Sequence, residues 1–296
     1  MTVFQGFPIH IIGERISPGY KSTKALIDAS DLGGIQALAL KQVEAGAAYL
    51  DVHLGTRGAR DLPFVGALIR SLQDVVDVPL CFDFPEIPVL EAAFEAYDAG
   101  KARGALPLLN SLTDQRWELM ELYKRHLFRV IVMTSERIVD GAARSNKTAQ
   151  EIAATARHVA LRLQEEYGVA MSDIFVDIAV RAVIVDTAGL NRATLDAVGL
   201  IRNDARLPGI HIMGALTNIG QQMPPHAVDG SNLKHSLENA FLTIAVPNGL
   251  DTIMGTPWIG YRPLAEDHYV MKVYREFLDQ SGSNALRTIR KFYRAA

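Results

Sequence analysis

Several short apolar runs of this chain end on a carboxylate or an amide. Two runs end on Asp83 and Asp177, a third ends on Asn110, and a fourth is followed by Asn218 and Gln221. A carboxylate accepts hydrogen bonds, and an amide both donates and accepts them, so such groups can together hold a polar small molecule. A single acid after a strand is usually a helix cap or a turn residue, but repeated endings of this kind indicate a site.

The spacing of apolar residues predicts the elements that position these groups. Short continuous apolar runs are typical of buried parallel strands, and apolar residues at three- and four-residue steps between them predict helices. Eight alternating strand and helix units predict a (β/α)8 TIM barrel, an α/β fold whose active site lies at the C-terminal ends of the strands. The predicted strands lie at residues 10–13, 49–53, 79–83, 105–110, 129–133, 174–177, 211–213 and 250–254.

The main alternative fold is a doubly wound open sheet. That fold carries a glycine-rich dinucleotide fingerprint, and Gly13 and Gly19 do not have its spacing. No linker or shift in composition divides the chain, so residues 1–280 are predicted to form one barrel and residues 281–296 a short extension. The extension contains four basic residues and no acid, namely Arg287, Arg290, Lys291 and Arg294.

Three local features of the connecting segments are also predicted. Asp31 has the position and residue type of an N-cap for the helix that follows the first strand. Residues 114–126 are predicted to form a helix, and residues 134–147 a polar loop.

Composition limits the class of protein. The 296 residues are 49% hydrophobic and 21% charged, with a formal net charge of -3, which is typical of a globular enzyme and gives little support to nucleic-acid binding. Cys81 is the only cysteine, and the eight histidines are scattered, so neither a disulfide nor a metal site is predicted. Because the sequence shows no signal peptide and no apolar run of membrane-spanning length, we expect a cytoplasmic protein.

Motifs spread in order along nearly the whole chain resemble a known family. They are Ile11 to Ile16, Leu50 to Gly55, Asp83, Asn110-Ser111, Asp177 and Leu216 to Asn218. This set resembles the pterin-binding family of methyltetrahydrofolate:corrinoid methyltransferases, which includes the folate module of cobalamin-dependent methionine synthase. The chain departs from that family at His53, where asparagine is usual, at Phe84-Pro85, and in the loop after Met133. Dihydropteroate synthase shares the fold, but its characteristic lysine and arginine are not evident.

The resemblance implies a substrate and roles for the predicted residues. A reduced pterin presents a 2-amino group and ring N–H donors, which Asp83 and Asp177 would accept while Asn110 binds beside them. Asn218 would support protonation of nitrogen five of tetrahydrofolate, with Asp177 as a second catalytic residue and Gln221 as a weaker helper. The resemblance also implies that the cobalt(I) of a corrinoid is the nucleophile.

The corrinoid is expected on a separate protein. The Asp51-Val52-His53 segment begins like a base-off cobalamin motif, but Thr56 stands where that motif requires glycine, and the chain has no room for a corrinoid domain. His53 is therefore interpreted as a rim residue and not as a cobalt ligand. We also expect a homodimer, and the basic extension is interpreted either as a surface that steers an acidic partner or as a solvated helix or dimer contact.

Other interpretations remain open from the sequence alone. A lyase or aldolase on the same barrel requires a lysine at a strand end, and none of the predicted strands ends on one. A noncatalytic folate-binding module would keep the acids and Asn110 but would not need Asn218. Glu14 and Arg15 form either an ion pair at the end of the first strand or a contact with the substrate.

Overall fold

Short apolar strands and amphipathic helices alternate along the chain and close into one parallel barrel. The computed structural model describes residues 6–294. The strands are β1 (His10–Ile16), β2 (Tyr49–Val52), β3 (Leu80–Asp83), β4 (Leu108–Leu112), β5 (Arg129–Met133), β6 (Glu136–Val139), β7 (Ala142–Ser145), β8 (Ile174–Asp177), β9 (His211–Ala215) and β10 (Thr252–Gly255). All except β6 and β7 pair in parallel, in the closed order β1-β2-β3-β4-β5-β8-β9-β10. The predicted (β/α)8 barrel is confirmed.

Helices surround the barrel, and five of the ten α-helices of the described residues begin with a side-chain cap. The Asp31 carboxylate accepts the Gly34 N–H, which confirms the predicted N-cap, and Thr148 and Glu151 form a capping box. The α-helices are α1 (Lys21–Asp28), α2 (Leu32–Glu44), α3 (Thr56–Arg60), α4 (Leu62–Gln73), α5 (Ile87–Ala96), α6 (Ala149–Tyr167), α7 (Leu190–Arg202), α8 (Leu233–Ala245), α9 (Tyr269–Leu278) and α10 (Gly282–Lys291). No helix within residues 6–294 is both long and apolar enough to cross a membrane.

Two connecting segments differ from the sequence predictions. Residues 134–147, predicted to be a loop, contain the antiparallel hairpin of β6 and β7, which turns at Asp140 and Gly141. Both turn residues have positive φ, 51° and 75°, and Asp-Gly is favoured in such two-residue hairpin turns. The segment predicted as a helix at 114–126 is a 3-10 helix, Asp114–Lys124, broken at Arg116.

Side chains in the barrel interior form layers because residues alternate between the two faces of a strand. The middle layer is a buried apolar cluster that packs against Met254 and contains Ile12, Tyr49, Cys81, Leu108, Ile131, Phe175 and Met213. Two residues further along each strand, toward its C-terminal end, comes the layer that we call the upper layer. It consists of Glu14, Asp51, Asp83, Asn110, Met133, Asp177, Ala215 and Thr256. The change from apolar to polar residues therefore occurs at the end of the barrel where TIM-barrel enzymes have their sites.

Candidate functional site

The upper layer contains three of the five predicted site residues. Asp83, Asn110 and Asp177 belong to it, and β-sheet register places Asp83 beside Asn110. Asn218 ends a short 3-10 helix directly after β9, and Gln221 follows it. All five residues thus lie at the C-terminal end of the barrel.

Asp177 is buried at the end of β8, with 5% of its surface exposed. Its Oδ1 accepts the Ala179 N–H at 2.8 Å, and its backbone oxygen accepts the Thr134 hydroxyl at 2.7 Å. Burial raises the pKa of Asp177 to about 6, against the lowering effects of the Ala179 N–H and the Arg181 charge. A ligand that brings hydrogen-bond donors to this carboxylate would stabilise its charged form.

Asp51 is a buried acid that the sequence-based site did not include. Its Oδ1 accepts a long hydrogen bond from Asn110 Nδ2 at 3.5 Å across the barrel interior. Burial, followed by the charge of Asp83, raises the pKa of Asp51 well above its ordinary value. The signal was present in the sequence, because Asp51 follows the interior residue Tyr49 by two positions, as Asp83 follows Cys81.

Asp83 is half-buried beside His53 at the rim. His53 Nδ1 lies 2.8 Å from the Asp83 backbone oxygen and 3.5 Å from its Oδ2. Burial raises the pKa of Asp83, while the charges of His53 and Arg116 act to lower it. Arg116 is held nearby because it donates to the backbone oxygens of Pro85 and Ser111. The structure places His53 at the rim, as predicted.

Asn218 and Gln221 are joined by a hydrogen bond. Gln221 Nε2 donates to Asn218 Oδ1 at 2.6 Å, which fixes the orientation of the Asn218 amide. A carbonyl oxygen has two lone pairs, so Asn218 can still accept one further hydrogen bond through Oδ1 and can donate through its Nδ2. Such an amide can bond a substrate nitrogen in either protonation state.

Glu14 connects three loops at the rim. Its carboxylate accepts hydroxyl hydrogen bonds from Tyr20, from Thr217 at 3.0 Å and from Thr256 at 3.3 Å. Thr217 precedes Asn218, so this contact helps to fix the position of Asn218 relative to β1.

Arg15 does not pair with Glu14, so the predicted alternative of an ion pair is wrong for the part of the chain that the structure describes. Its guanidinium instead lies over the Tyr20 ring, 3.6 Å from the centroid, and 5.3 Å from the Trp258 centroid. Arg15 therefore stacks on aromatic rings at this end of the barrel, while Glu14 keeps neutral donors only.

The described residues, 6–294, contain no group of three or more His, Cys, Asp or Glu side chains arranged to hold a metal ion. Of the eight upper-layer residues, four are acids, which accept hydrogen bonds, and one is the amide Asn110, which both donates and accepts them. Three acids, Asp51, Asp83 and Asp177, have raised pKa values, which is common where a site is built to bind or transfer protons.

Comparisons with known proteins agree with this chemistry. The sequence profile of the family described as pterin binding enzyme matches residues 17–254. The chain is 26% identical over 259 residues to the methylcorrinoid:tetrahydrofolate methyltransferase of Eubacterium limosum, covering 83% of this chain and 84% of that protein. It is 26% identical over 255 residues to the methionine synthase of Mycobacterium leprae (strain TN), covering 82% of this chain and 20% of that protein. It thus spans about a fifth of the second relative.

Solved structures of dihydropteroate synthases share the fold. The enzyme of Xanthomonas albilineans with 4-aminobenzoic acid aligns over 86% of this chain and 88% of its own, with a TM-score of 0.58 and 15% identity. The enzyme of Thermus thermophilus in complex with 6HMPPP aligns over 84% and 88%, with a TM-score of 0.54 and 18% identity. At these identities the likeness concerns the barrel alone.

Proposed function

We propose that this chain, which belongs to the family of pterin-binding enzymes, moves a methyl group between nitrogen five of tetrahydrofolate and the cobalt of a corrinoid carried by a separate protein. The predicted family is confirmed by the profile match over residues 17–254. The predicted methyltransferase class agrees with the names of both curated relatives. The folate substrate and the separate corrinoid protein go beyond the family and form the proposal.

The observation that carries the proposal is the set of weakly neutralised acids in one layer of the barrel. The groups that act on Asp51 are two other acids and two neutral side chains, and Asp177 has only a backbone N–H and the charge of Arg181. Buried acids normally have several paired donors or cations, and Asp51 and Asp177 have few of either among the described residues. The 2-amino group and ring N–H groups of a reduced pterin would supply such donors.

Asn218 has the position and chemistry to assist at nitrogen five. When the methyl group leaves, nitrogen five keeps the bonding electron pair and takes up a proton, and the reverse reaction removes that proton. A neutral amide held by Gln221 can bond the nitrogen before and after this change without itself being charged. The corrinoid of the partner protein supplies the cobalt that accepts or gives the methyl group. Asn218 is thus proposed as a catalytic residue, and Asp177 as a binding and catalytic residue.

Two alternatives make different demands on the same layer. A Schiff-base lyase or aldolase needs a lysine, and the eight upper-layer residues include none. A noncatalytic folate-binding module would bind methyltetrahydrofolate without transferring its methyl group. The homodimer and the cytoplasmic location remain predictions, which light scattering and cell fractionation would test.

The proposed function is tested by following methyl transfer between folate and cobalamin, with and without purified corrinoid proteins. We expect slow transfer with free cobalamin and fast transfer with one cognate corrinoid protein. Folate binding without any transfer would identify a noncatalytic module. Transfer that no corrinoid protein accelerates over free cobalamin would contradict the separate carrier.

A further inference from the structure

The C-terminal helix α10 lies against the loops that lead from the candidate site. The N–H of Gly282, at its start, donates to the backbone oxygen of Thr187 in the loop after β8 at 2.8 Å. The N–H of Val228, in the loop after β9, donates to the backbone oxygen of Phe292 at 3.0 Å. These are the loops that follow Asp177 and Asn218, so α10 belongs to the same end of the barrel as the upper layer.

One face of α10 is packed and the other is exposed. Ala285, Thr288, Ile289 and Phe292 are buried, whereas Arg287, Arg290 and Arg294 are exposed. Because the three arginines recur at steps of three and four residues, they lie on one side of the helix. We call Leu286, Arg287, Arg290 and Arg294 the α10 face.

The positive charge of this face is not neutralised within the described chain. Lys291 pairs with Glu276 at 2.6 Å, and Arg287 donates to the neutral Asn284 amide. No carboxylate of residues 6–294 lies within ion-pair distance of Arg287, Arg290 or Arg294, whereas some exposed arginines elsewhere, such as Arg103 and Arg275, are paired. Unpaired arginines on a protein of net charge -3 form a local field of opposite sign to the whole.

Apolar side chains accompany these charges. Leu286 of the α10 face is 44% exposed, and Val185, in the loop after β8 against which α10 packs, is 68% exposed. Val185 has the largest exposure among the exposed large hydrophobic side chains of residues 6–294. Arginine combined with exposed aliphatic residues is the composition expected of a protein contact surface.

We propose that the α10 face and Val185 form the docking surface for the corrinoid protein, which would present acidic residues here. This inference rests on the proposed function. A partner seated on α10 and the loops after β8 and β9 would lie next to Asn218, where the methyl group must pass. A second copy of this chain is a poorer occupant, because a two-fold contact through this face would bring the arginines of the two copies together, and their like charges would repel.

The test uses the full chain with Arg287→Glu, Arg290→Glu and the double variant. Methyl transfer is measured at varied concentrations of corrinoid protein and, separately, with free cobalamin. We expect KM for the corrinoid protein to rise about tenfold or more in the double variant, with kcat, folate affinity and the free-cobalamin rate unchanged. Added salt should raise the wild-type KM and change that of the double variant much less.

Arg70→Glu is the matched control for the single variants. Arg70 is also an exposed helical arginine, but it lies near the end of α4, at the opposite end of the barrel. A KM for the corrinoid protein that rises equally in Arg70→Glu, or stays unchanged in the double variant, would overturn the docking surface. A change in oligomeric state on charge reversal, seen by sedimentation, would instead identify a contact between copies and also overturn it. Absence of transfer by the wild type would mean that the proposed function itself had failed.

Discussion

Both ends of the barrel interior carry acids, but among the described residues only the N-terminal acids lie within ion-pair distance of an arginine. At the N-terminal end, Asp173 lies 3.0 Å from Arg129, and Asp251 lies 2.7 Å from Arg202 and 3.3 Å from His211. At the C-terminal end, Asp83 has His53 as its partner, with Nδ1 at 3.5 Å. Asp51 and Asp177 have no such cation among the described residues, and their pKa values are raised.

The opposite shifts show what each end contributes. Although burial acts to raise the pKa of Asp251, hydrogen bonds and charge from His211, with further bonds from Thr252 and Arg202, hold it below its ordinary value. For Asp177 burial prevails, and its pKa is about 6. Folding therefore stabilises the charge of Asp251 and opposes that of Asp177. The N-terminal cluster contributes to stability, while the C-terminal acids are retained at a cost in stability that a function can explain.

The largest effect is expected at Asn218, which would separate chemistry from binding within the C-terminal end. Asn218→Ala should lower the methyl-transfer rate about 100- to 1,000-fold, the range measured when one preorganised hydrogen bond to a reacting group is removed. Affinity for methyltetrahydrofolate should fall less, because the bond strengthens toward the transition state. Single-turnover rates and folate titrations measure the two quantities.

Asn248→Ala is the control for that variant, since Asn248 is an exposed amide beyond the C-terminal end of α8, at the opposite end of the barrel. Equal losses of rate and affinity in Asn218→Ala would make Asn218 a binding residue only.

The second largest effect is expected in the pH dependence of the free energy of unfolding, through Asp177 at the C-terminal end. Between the ordinary pKa of 3.8 and the folded value of about 6, folded Asp177 binds more protons than the unfolded chain. The free energy of unfolding therefore falls as pH rises through this window, by about 1.4 kcal/mol per unit of pKa shift and about 2–3 kcal/mol in all. Asp177→Asn should lack this loss.

Urea unfolding of the wild type and Asp177→Asn at pH 4, 5, 6 and 7 measures the difference. If the free energy of unfolding changed with pH in the same way in both proteins, the pKa of Asp177 would not be raised by folding.

Removing an acid at the N-terminal end should have a smaller and opposite consequence. Asp251→Ala leaves Arg202 and His211 without their shared partner, so the free energy of unfolding at pH 7 should fall by about 2 kcal/mol, less than for a fully buried pair because these side chains are partly exposed. The transfer rate of the folded variant should stay at the wild-type value. If Asp251→Ala lowered the methyl-transfer rate and left the free energy of unfolding unchanged, Asp251 would serve function and not stability, which contradicts the roles given to the two ends.

Much of this arrangement can be predicted from the sequence, because the alternation of residues along a strand and the residue at its end depend only on neighbouring positions in the chain. The runs that end on Asp83, Asn110 and Asp177 placed those residues correctly at the C-terminal end of a barrel. Asp51 is less evident from the sequence, because the predicted strand continues past it to His53 and does not end on the acid. The two-residue period of a strand places Asp51 on the same face as Tyr49, which points into the barrel.

Other features depend on contacts that no local pattern contains. Glu14 meets Thr217 and Thr256 across 203 and 242 residues of sequence. The packing of α10 on the loops after β8 and β9 is also non-local, because it joins Gly282 to Thr187 and Phe292 to Val228, 95 and 64 residues apart. The hairpin of β6 and β7 was not predicted although Asp140-Gly141 is a strong turn signal, because its strands are only four residues long and do not alternate apolar and polar residues.

The central claim, that the C-terminal acids are kept for the N–H donors of a reduced pterin, is tested most directly by isothermal titration of methyltetrahydrofolate at pH 7.5 into the wild type and Asp177→Ala. Asp77→Ala, which removes a partly exposed acid paired with Arg103 at the N-terminal end, is the control. We predict that Asp177→Ala weakens binding by more than about 1.5 kcal/mol, roughly tenfold in Kd, the scale of a hydrogen bond to a charged group, and that Asp77→Ala leaves it unchanged. Equal affinities for the wild type and Asp177→Ala would contradict the claim.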